Sequence, residues 1–190
     1  MTKSFARSWP AIALVAGIQT LVLCYIVYDR VMLLSRGREI VAEVIPIDPR
    51  DLFRGDYVTL GYAFTRSGDV DVSEATNVGD RIFVTLKQDA PEKWAVAAAS
   101  RDYPASTAPE NIVIKGIVSQ VYPKNETSPA RASIRYGIES YFIPEGTGRK
   151  LEQDVRDKKI SAVLAVGASG EVAIKSLKID GKLFVEEPLL

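Results

Sequence analysis

An uncharged, apolar run of 20 residues near the N-terminus constrains this chain more than any other feature. It extends from Trp9 to Tyr28 and reads WPAIALVAGIQTLVLCYIVY. As an α-helix it would be about 30 Å long, which is the thickness of the hydrocarbon core of a bilayer. Pro10 stands where a helix can begin without losing a hydrogen bond, and the aromatic ends of the run suit the two interfaces. The run predicts a transmembrane helix.

A cleaved signal peptide and the buried helix of a soluble protein are the alternative interpretations of this run. A signal peptide has a shorter apolar region, of about 7–15 residues, followed by small residues at a cleavage site, and no such site follows here. The single cysteine, Cys24, is preceded by Leu23, whereas lipoprotein processing needs a small residue there. We therefore expect a retained anchor, in which Gln19 and Thr20 mark a helix face suited to meeting another membrane helix.

Basic residues occur on both sides of the run, so the charge rule for membrane orientation is nearly balanced. A short stub before a signal-anchor normally stays in the cytoplasm, and the rest of the chain is then exported. We expect a single-pass protein of the plasma (inner) membrane with its domain on the extracytoplasmic face. The predicted organisation is a stub at residues 1–8, an anchor helix at residues 9–34 and one domain at residues 38–190.

The composition excludes several classes of function. Lys and Arg total 24, as do Asp and Glu, so no basic excess favours nucleic acid as a partner. The chain has no histidine, which removes the commonest general base and the commonest transition-metal ligand. Because the only cysteine lies in the apolar run, the domain has neither a disulfide nor a thiol nucleophile. We expect no nucleic-acid partner, no metal and no cofactor.

After Gly37 the sequence takes on the pattern of a mainly β domain. Short runs rich in Val, Ile, Thr, Tyr and Phe alternate with clusters of Gly, Pro, Asp and Asn. Alternation is clearest at Ile82, Val84 and Leu86, which should share one buried face. The predicted strands are Glu39–Ile45, Asp56–Phe64, Arg81–Lys87, Trp94–Ser100, Asn111–Tyr122, Ala132–Ile143, Ile160–Gly167 and Glu171–Ile179. They favour an antiparallel β-barrel or sandwich with one short helix.

The apolar pattern of the last predicted strand changes phase by one residue. Val172 and Ile174 are in phase with each other, but Leu177 and Ile179 are one residue out. This shift predicts either a β-bulge near Ser176 or a sharp bend.

Local composition also predicts two turns and the helix of the domain. Gly79–Asp80 and Ser169–Gly170 lie between strand candidates, and the second pair should close the hairpin of the final two strands. The segment Glu145–Lys159 is charged and has Leu151 and Val155 four residues apart. It predicts a short surface helix, the one helix expected after the anchor.

The segment PIDPRDLFRGDYVTLGY, residues Pro46–Tyr62, contains the pattern G-D-Y-x-x-L-x-Y. With this pattern the chain resembles the GDYxxLxY family of membrane-anchored bacterial proteins. The later stretch GIESYFIPEGTG, residues Gly137–Gly148, the N-terminal helix and the overall length are also similar to that family, so the resemblance covers essentially the whole chain. It assigns no activity, but it implies a polytopic membrane protein as partner.

The motif has a structural and a functional interpretation. In the structural one, Leu60 and Tyr62 pack, Asp56 caps the preceding loop or pairs with Arg50 or Arg54, and Tyr57 covers the outer face. In the functional one, the charged residues before the strand hold a ligand, and the aromatic side chains of the second stretch contact a peptide, a glycan or a protein. The candidate ligand-site residues are Asp48, Arg50, Asp51, Arg54, Gly55, Asp56, Tyr57, Leu60, Tyr62, Glu139, Tyr141 and Glu145.

A catalytic function has less support from the sequence than a binding function. A looser likeness to membrane-bound signal peptidases implies a serine nucleophile and a lysine base, but Ile47 stands where those enzymes carry the serine. Lys115, within the apolar run IVIKGIV, is either a desolvated base or an edge lysine that reaches solvent. We therefore predict a non-catalytic binding or accessory module. The alternatives are a membrane-tethered hydrolase that uses paired carboxylates and a degenerate signal-peptidase-like domain.

Overall fold

An N-terminal helix precedes a domain built mainly of β-strands. The computed structural model describes residues 5–46, 57–66, 70–73, 75–125, 128–142 and 160–186. Its helices are α1 (Phe5–Arg36) and α2 (Ala63–Arg66). Its strands are β1 (Arg38–Pro46), β2 (Tyr57–Tyr62), β3 (Val70–Asp71), β4 (Arg81–Ala90), β5 (Lys93–Ser100), β6 (Ile112–Tyr122), β7 (Arg131–Arg135), β8 (Ser140–Phe142), β9 (Ile160–Val166), β10 (Val172–Ile179) and β11 (Lys182–Glu186). The predicted mainly β class with an N-terminal apolar helix is confirmed.

The strands form two antiparallel sheets. One has the order β11-β10-β9-β1-β2-β8, and the other has the order β3-β7-β6-β4-β5. In the first sheet, β1 pairs with β9 from Arg38 to Glu43 but with β2 only from Val44 to Pro46. The half of β1 nearest α1 therefore has no strand neighbour on its β2 side within the part of the chain that the structure describes.

Side chains from both sheets meet in one hydrophobic core. The predicted alternation in β4 is confirmed, because Ile82, Val84 and Leu86 are at most 3% exposed. They share this core with Leu60 and Leu164 of the other sheet. Burying a large aliphatic side chain stabilises a fold by roughly 1.5–3 kcal/mol, so this common core is what holds the two sheets together.

Backbone hydrogen bonds also join the two sheets. The Lys115 N–H of β6 donates to the Gly170 carbonyl in the β9–β10 turn at 2.7 Å. The Glu43 N–H of β1 donates to the Glu92 carbonyl in the β4–β5 turn, also at 2.7 Å. The sheets thus form a partly closed barrel, which agrees with the predicted barrel or sandwich architecture.

The helix α1 leaves most of its length uncovered by the domain. Every residue from Trp9 to Arg30 is exposed, whereas Leu34 is buried against Ala165 of β9 and Ala173 of β10. The strand β9 is buried along its whole length, and this contact covers Ala165 on the face of β9 that does not line the core. By length and composition α1 can span a membrane.

Gly37 allows α1 to end directly against the sheet. Its N–H donates to the Leu33 carbonyl at 2.9 Å, which extends the helical hydrogen bonding by one residue. A Cβ atom at this position would lie 2.5 Å from the Leu33 oxygen and 3.2 Å from the Ala165 Cβ. Only glycine fits between the helix end and β9 without a shift of the backbone.

The local predictions for the last strands are confirmed in part. The register between β9 and β10 shifts between Ile174 and Ser176, so the predicted bulge is present. The turn at Ser169–Gly170 joins these two strands as predicted, with φ of +86° at Gly170. They are not the final strands, however, because a hairpin through Asp180–Gly181 leads into β11. Both turn residues have positive φ, and Asp-Gly is a typical sequence for such a turn.

Two strand predictions need correction. The segment Ala132–Ile143 is not one strand, because Tyr136–Glu139 forms a turn between β7 and β8. The predicted strand Asp56–Phe64 ends at Tyr62, where the helical turn α2 begins. This turn shows that a helix at Glu145–Lys159 would not be the one helix after α1. The segment Glu145–Lys159 itself lies outside the described residues.

Candidate functional site

The two sequence stretches that carry the family resemblance are neighbours in the first sheet. The motif strand β2 pairs with β8, with Tyr57 opposite Phe142 and Thr59 opposite Ser140. Beyond this ladder the Leu60 N–H donates to the Glu139 carbonyl at 2.8 Å. Residues about 80 positions apart in the sequence therefore form one local unit at the edge of the sheet.

Tyr62, the last residue of the motif, is fully buried within this unit. Its hydroxyl donates to the Ile138 carbonyl at 3.1 Å, and its ring stacks on Phe64 with the centroids 5.2 Å apart. Thr65 fixes the chain direction after Tyr62, because its hydroxyl accepts the Tyr62 N–H and donates to the Tyr62 carbonyl. Burial, followed by the nearby Glu139 carboxylate, raises the Tyr62 pKa far above its ordinary range. The phenol stays neutral and acts as a structural hydrogen-bond donor.

The carboxylate of Glu139 stabilises the turn between β7 and β8. One oxygen accepts the Tyr136 N–H at 2.6 Å, and the other accepts the Gly137 N–H at 2.8 Å. Gly137 has a φ of +81°, a conformation that most other residues adopt only at a cost. Both Glu139 oxygens therefore bind the backbone of their own turn, which leaves the carboxylate with a clear architectural role.

The aromatic side chains near this turn pack inward. Tyr136 and Tyr141 are 7% and 4% exposed, and the Tyr136 ring meets Phe64 edge to face with the centroids 5.8 Å apart. Burial, with a smaller contribution from Glu139, raises the pKa of Tyr136. The buried Tyr136 hydroxyl has no hydrogen-bond partner among the described residues. These rings contribute to the core rather than to an exposed aromatic surface.

The remaining motif candidates are Tyr57 and seven residues outside the described part of the chain. Tyr57 lies in β2, but its side chain is not described. The candidates outside the described residues are Asp48, Arg50, Asp51, Arg54, Gly55, Asp56 and Glu145. The strand ends that flank their segments lie at one end of the first sheet, opposite the end where α1 meets β1. A ligand site formed by these charged residues stays a prediction.

Lys115, the residue with two sequence interpretations, forms an ion pair. Its ammonium group lies 2.5 Å from a Glu171 oxygen, and the Ser169 hydroxyl donates to the other oxygen of Glu171 at 2.6 Å. Burial alone would raise the pKa of Glu171. The hydrogen bonds from Lys115, Ser169 and the backbone, together with the Lys115 charge, outweigh burial and lower this pKa to about 2. Sequence reasoning missed Glu171, because only the fold brings it next to β6.

This lowered pKa predicts how the ion pair stabilises the protein. A carboxyl whose pKa falls from 4.5 to about 2 on folding adds stability above pH 4.5, and this stability is lost as the pH falls towards 2. Because the pair is partly exposed, we expect Glu171→Gln to lower the unfolding free energy by only about 1 kcal/mol at pH 7. Denaturant unfolding of both proteins between pH 2 and 7 measures this difference.

The ion pair between Lys175 and Glu39 gives a matched control. Its charged atoms are 2.6 Å apart, but Glu39 is more exposed than Glu171. Glu39→Gln should therefore change stability less than Glu171→Gln at pH 7. A stability difference for Glu171→Gln that persists undiminished at pH 2 would show that the charge is not its origin.

The described residues contain no group of three or more His, Cys, Asp or Glu side chains arranged to hold a metal ion.

A sequence profile described as GDYXXLXY protein matches residues 19–177 of the chain. This match covers the last part of the apolar helix and nearly all of the β domain. Neither the curated proteins nor the solved structures contain a match to the chain.

Proposed function

The chain belongs to the GDYXXLXY protein family, and on that premise we propose that it is a membrane-anchored, non-catalytic binding or accessory module that partners a polytopic membrane protein. The observation that carries this proposal is the uncovered apolar helix. All residues from Trp9 to Arg30 are exposed, and among them are large apolar side chains that are 50–74% exposed. Soluble proteins rarely expose an apolar surface of this size, whereas a bilayer covers it.

The role of the motif residues supports a non-catalytic domain. Leu60 and Tyr62 are buried in the core, and the Glu139 carboxylate binds backbone N–H groups. Groups used in this way are not free to bind substrate or transfer protons. The family signature is then best explained as the means by which β2, α2 and the β7–β8 turn are held together.

A polar residue in the middle of the helix supports a membrane partner. Gln19 lies with Ala11, Ile12, Val15 and Ala16 along a shallow groove on one face of α1. Thr20, the other polar residue at this depth, satisfies its hydroxyl by donating to the Ala16 carbonyl at 2.9 Å. A glutamine amide in lipid is stabilised by hydrogen bonds to a neighbouring helix, and small residues beside it allow close approach.

Site-specific photo-crosslinking in cells tests the partner. A photoreactive residue at Gln19 should give an adduct with a protein that has several membrane spans. The matched control is the same residue at Leu21, which lies at nearly the same depth but about 200° away around the helix. Equal adducts from both positions, or none from either, would contradict a partner on the Gln19 face.

The anchor itself is tested by fractionation of the same cells. We expect the full-length chain, with α1 intact, to remain in membranes after alkaline carbonate extraction. A reporter enzyme that is active only after export should be active when it is fused after residue 190. This result would agree with an extracytoplasmic domain at a bacterial inner membrane. A mature chain shortened past Tyr28, or a chain released by carbonate, would overturn the proposed function.

A further inference from the structure

A cavity of about 640 Å³ lies where α1 meets the β domain. Its walls are the last two turns of α1, the start of β1, the loop before β6 and the β9–β10 turn. This volume is within the range of about 300–1,000 Å³ that is typical of sites for small ligands. The cavity is separate from the motif unit, because it lies at the opposite end of β1.

The length of the helix sets the depth of this cavity in a membrane. The uncharged run ends at Tyr28, and the helix rises about 10 Å from Asp29 to Arg36 at about 1.5 Å per residue. The headgroup layer is about 5–8 Å thick on each side of the hydrocarbon core. If the run spans that core, Asp29 and Arg36 on the cavity wall bracket the phospholipid headgroups.

Two arginines, Arg36 and Arg38, line the cavity. Arg38 is held in place, because its Nη1 donates to the Pro109 carbonyl at 2.8 Å and to the Asn111 carbonyl at 3.3 Å. Its other N–H groups remain available for a ligand. Arg36, on the last turn of α1, has no ion-pair partner among the described residues. Paired guanidinium groups are well suited to phosphate oxygens.

Hydrogen-bond acceptors also line the cavity. The Asn111 Oδ1 atom is buried and has no hydrogen-bond partner among the described residues. Asp29 adds a carboxylate, whereas the Glu171 carboxylate is already bound by Lys115 and Ser169. A ligand that matches this set carries a phosphate for the arginines and a hydroxyl or ammonium donor for the acceptors. Glycerophospholipid headgroups combine these features.

We propose that the cavity binds the headgroup of a glycerophospholipid in the leaflet next to the domain, with its phosphate at Arg36 and Arg38. The inference rests on the proposed function, because a chain that does not insert into a bilayer would not present the cavity to headgroups. The bound lipid fills the space between α1 and the sheet. It thereby fixes the angle at which the domain leaves the membrane.

Native mass spectrometry of the full-length protein, released from nanodiscs, tests the proposal. Nanodiscs of phosphatidylcholine with either phosphatidylglycerol or phosphatidylethanolamine distinguish a hydroxyl from an ammonium headgroup. We expect one retained phospholipid per chain, and about tenfold weaker retention for Arg36→Gln because a charge-assisted contact is lost. The control is Arg30→Gln, which removes the same charge from the same helix, about 9 Å nearer the bilayer core and away from the cavity wall.

Each other outcome has a definite meaning. Equal losses of lipid retention in Arg36→Gln and Arg30→Gln would show a general attraction of positive charge to lipid. Unchanged lipid retention in Arg36→Gln would exclude the site. Either result overturns the proposal, as does displacement of the lipid by millimolar inorganic phosphate, which would assign the cavity to free phosphate. A chain that resists carbonate extraction but retains no lipid refutes the cavity proposal alone. A chain that carbonate releases refutes the proposed function itself.

Discussion

Replacing Tyr62 with alanine is expected to lower the free energy of unfolding by about 3–5 kcal/mol, the usual cost of removing a buried aromatic ring. The Tyr62 side chain is 0% exposed, and its ring stacks on Phe64. The substitution would leave a cavity next to α2 and would remove the donor to the Ile138 carbonyl. Denaturant unfolding of the full-length protein in detergent, followed by circular dichroism, measures the change.

Two control variants separate the contributions to this loss. Tyr62→Phe keeps the ring and removes only the hydrogen bond to Ile138, so we expect a loss of about 1 kcal/mol. Tyr122→Ala removes a side chain of the same type that is 39% exposed, and it should cost less than Tyr62→Ala. If Tyr62→Ala kept its stability but lost a membrane partner, the motif would be a binding site and its architectural interpretation would be wrong.

Alternation and turn chemistry predicted much of the β domain because both act over short distances. Ile82, Val84 and Leu86 point to the core because successive side chains of a strand alternate between its faces. The one-residue phase change before Leu177 predicted either a bulge or a bend in this strand. The structure has the bulge, because an extra residue restores the alternation. The Asp180–Gly181 turn also has the local sequence of a hairpin turn, although the predicted strands end before it.

The end of β2 and the turn between β7 and β8 were not predicted. Both depend on side-chain contacts that the alternation of apolar residues does not indicate. The apolar phase of β2 continues to Phe64, yet Thr65 binds the backbone of Tyr62 and directs the chain into α2. The segment after Ala132 has the composition of one strand. The Glu139 carboxylate instead stabilises a turn at Gly137 by binding two N–H groups of the same segment.

The cavity at the end of α1 was beyond sequence reasoning for a different reason. Arg38 meets Pro109 and Asn111, which follow it by 71 and 73 residues. No local pattern relates residues so far apart, and their proximity depends on how the two sheets are joined. The one local signal was the pair of arginines around Gly37, at the point where the helix must end close to the sheet.

Replacing Trp94 is expected to lower the free energy of unfolding by a similarly large amount. The reason is that Trp94 contacts the part of β1 that does not pair with β2. β2 pairs with β1 only from Val44 onwards, and the β4–β5 hairpin provides hydrogen bonds to β1 before that point. The Trp94 indole N–H donates to the Val41 carbonyl at 2.9 Å, next to the bond between Glu43 and Glu92. Trp94 therefore joins the two sheets through a hydrogen bond as well as through its buried ring.

Trp94→Ala should lower the unfolding free energy by about 3–5 kcal/mol, because the substitution empties a core position and leaves the Val41 carbonyl without this donor. Trp94→Phe keeps much of the ring burial and should cost about 1–2 kcal/mol. Unfolding in denaturant measures both variants against the parent. If Trp94→Ala stayed within 1 kcal/mol of the parent, the barrel would close without the indole, and backbone bonds such as that from Glu43 to Glu92 would be sufficient to join the sheets.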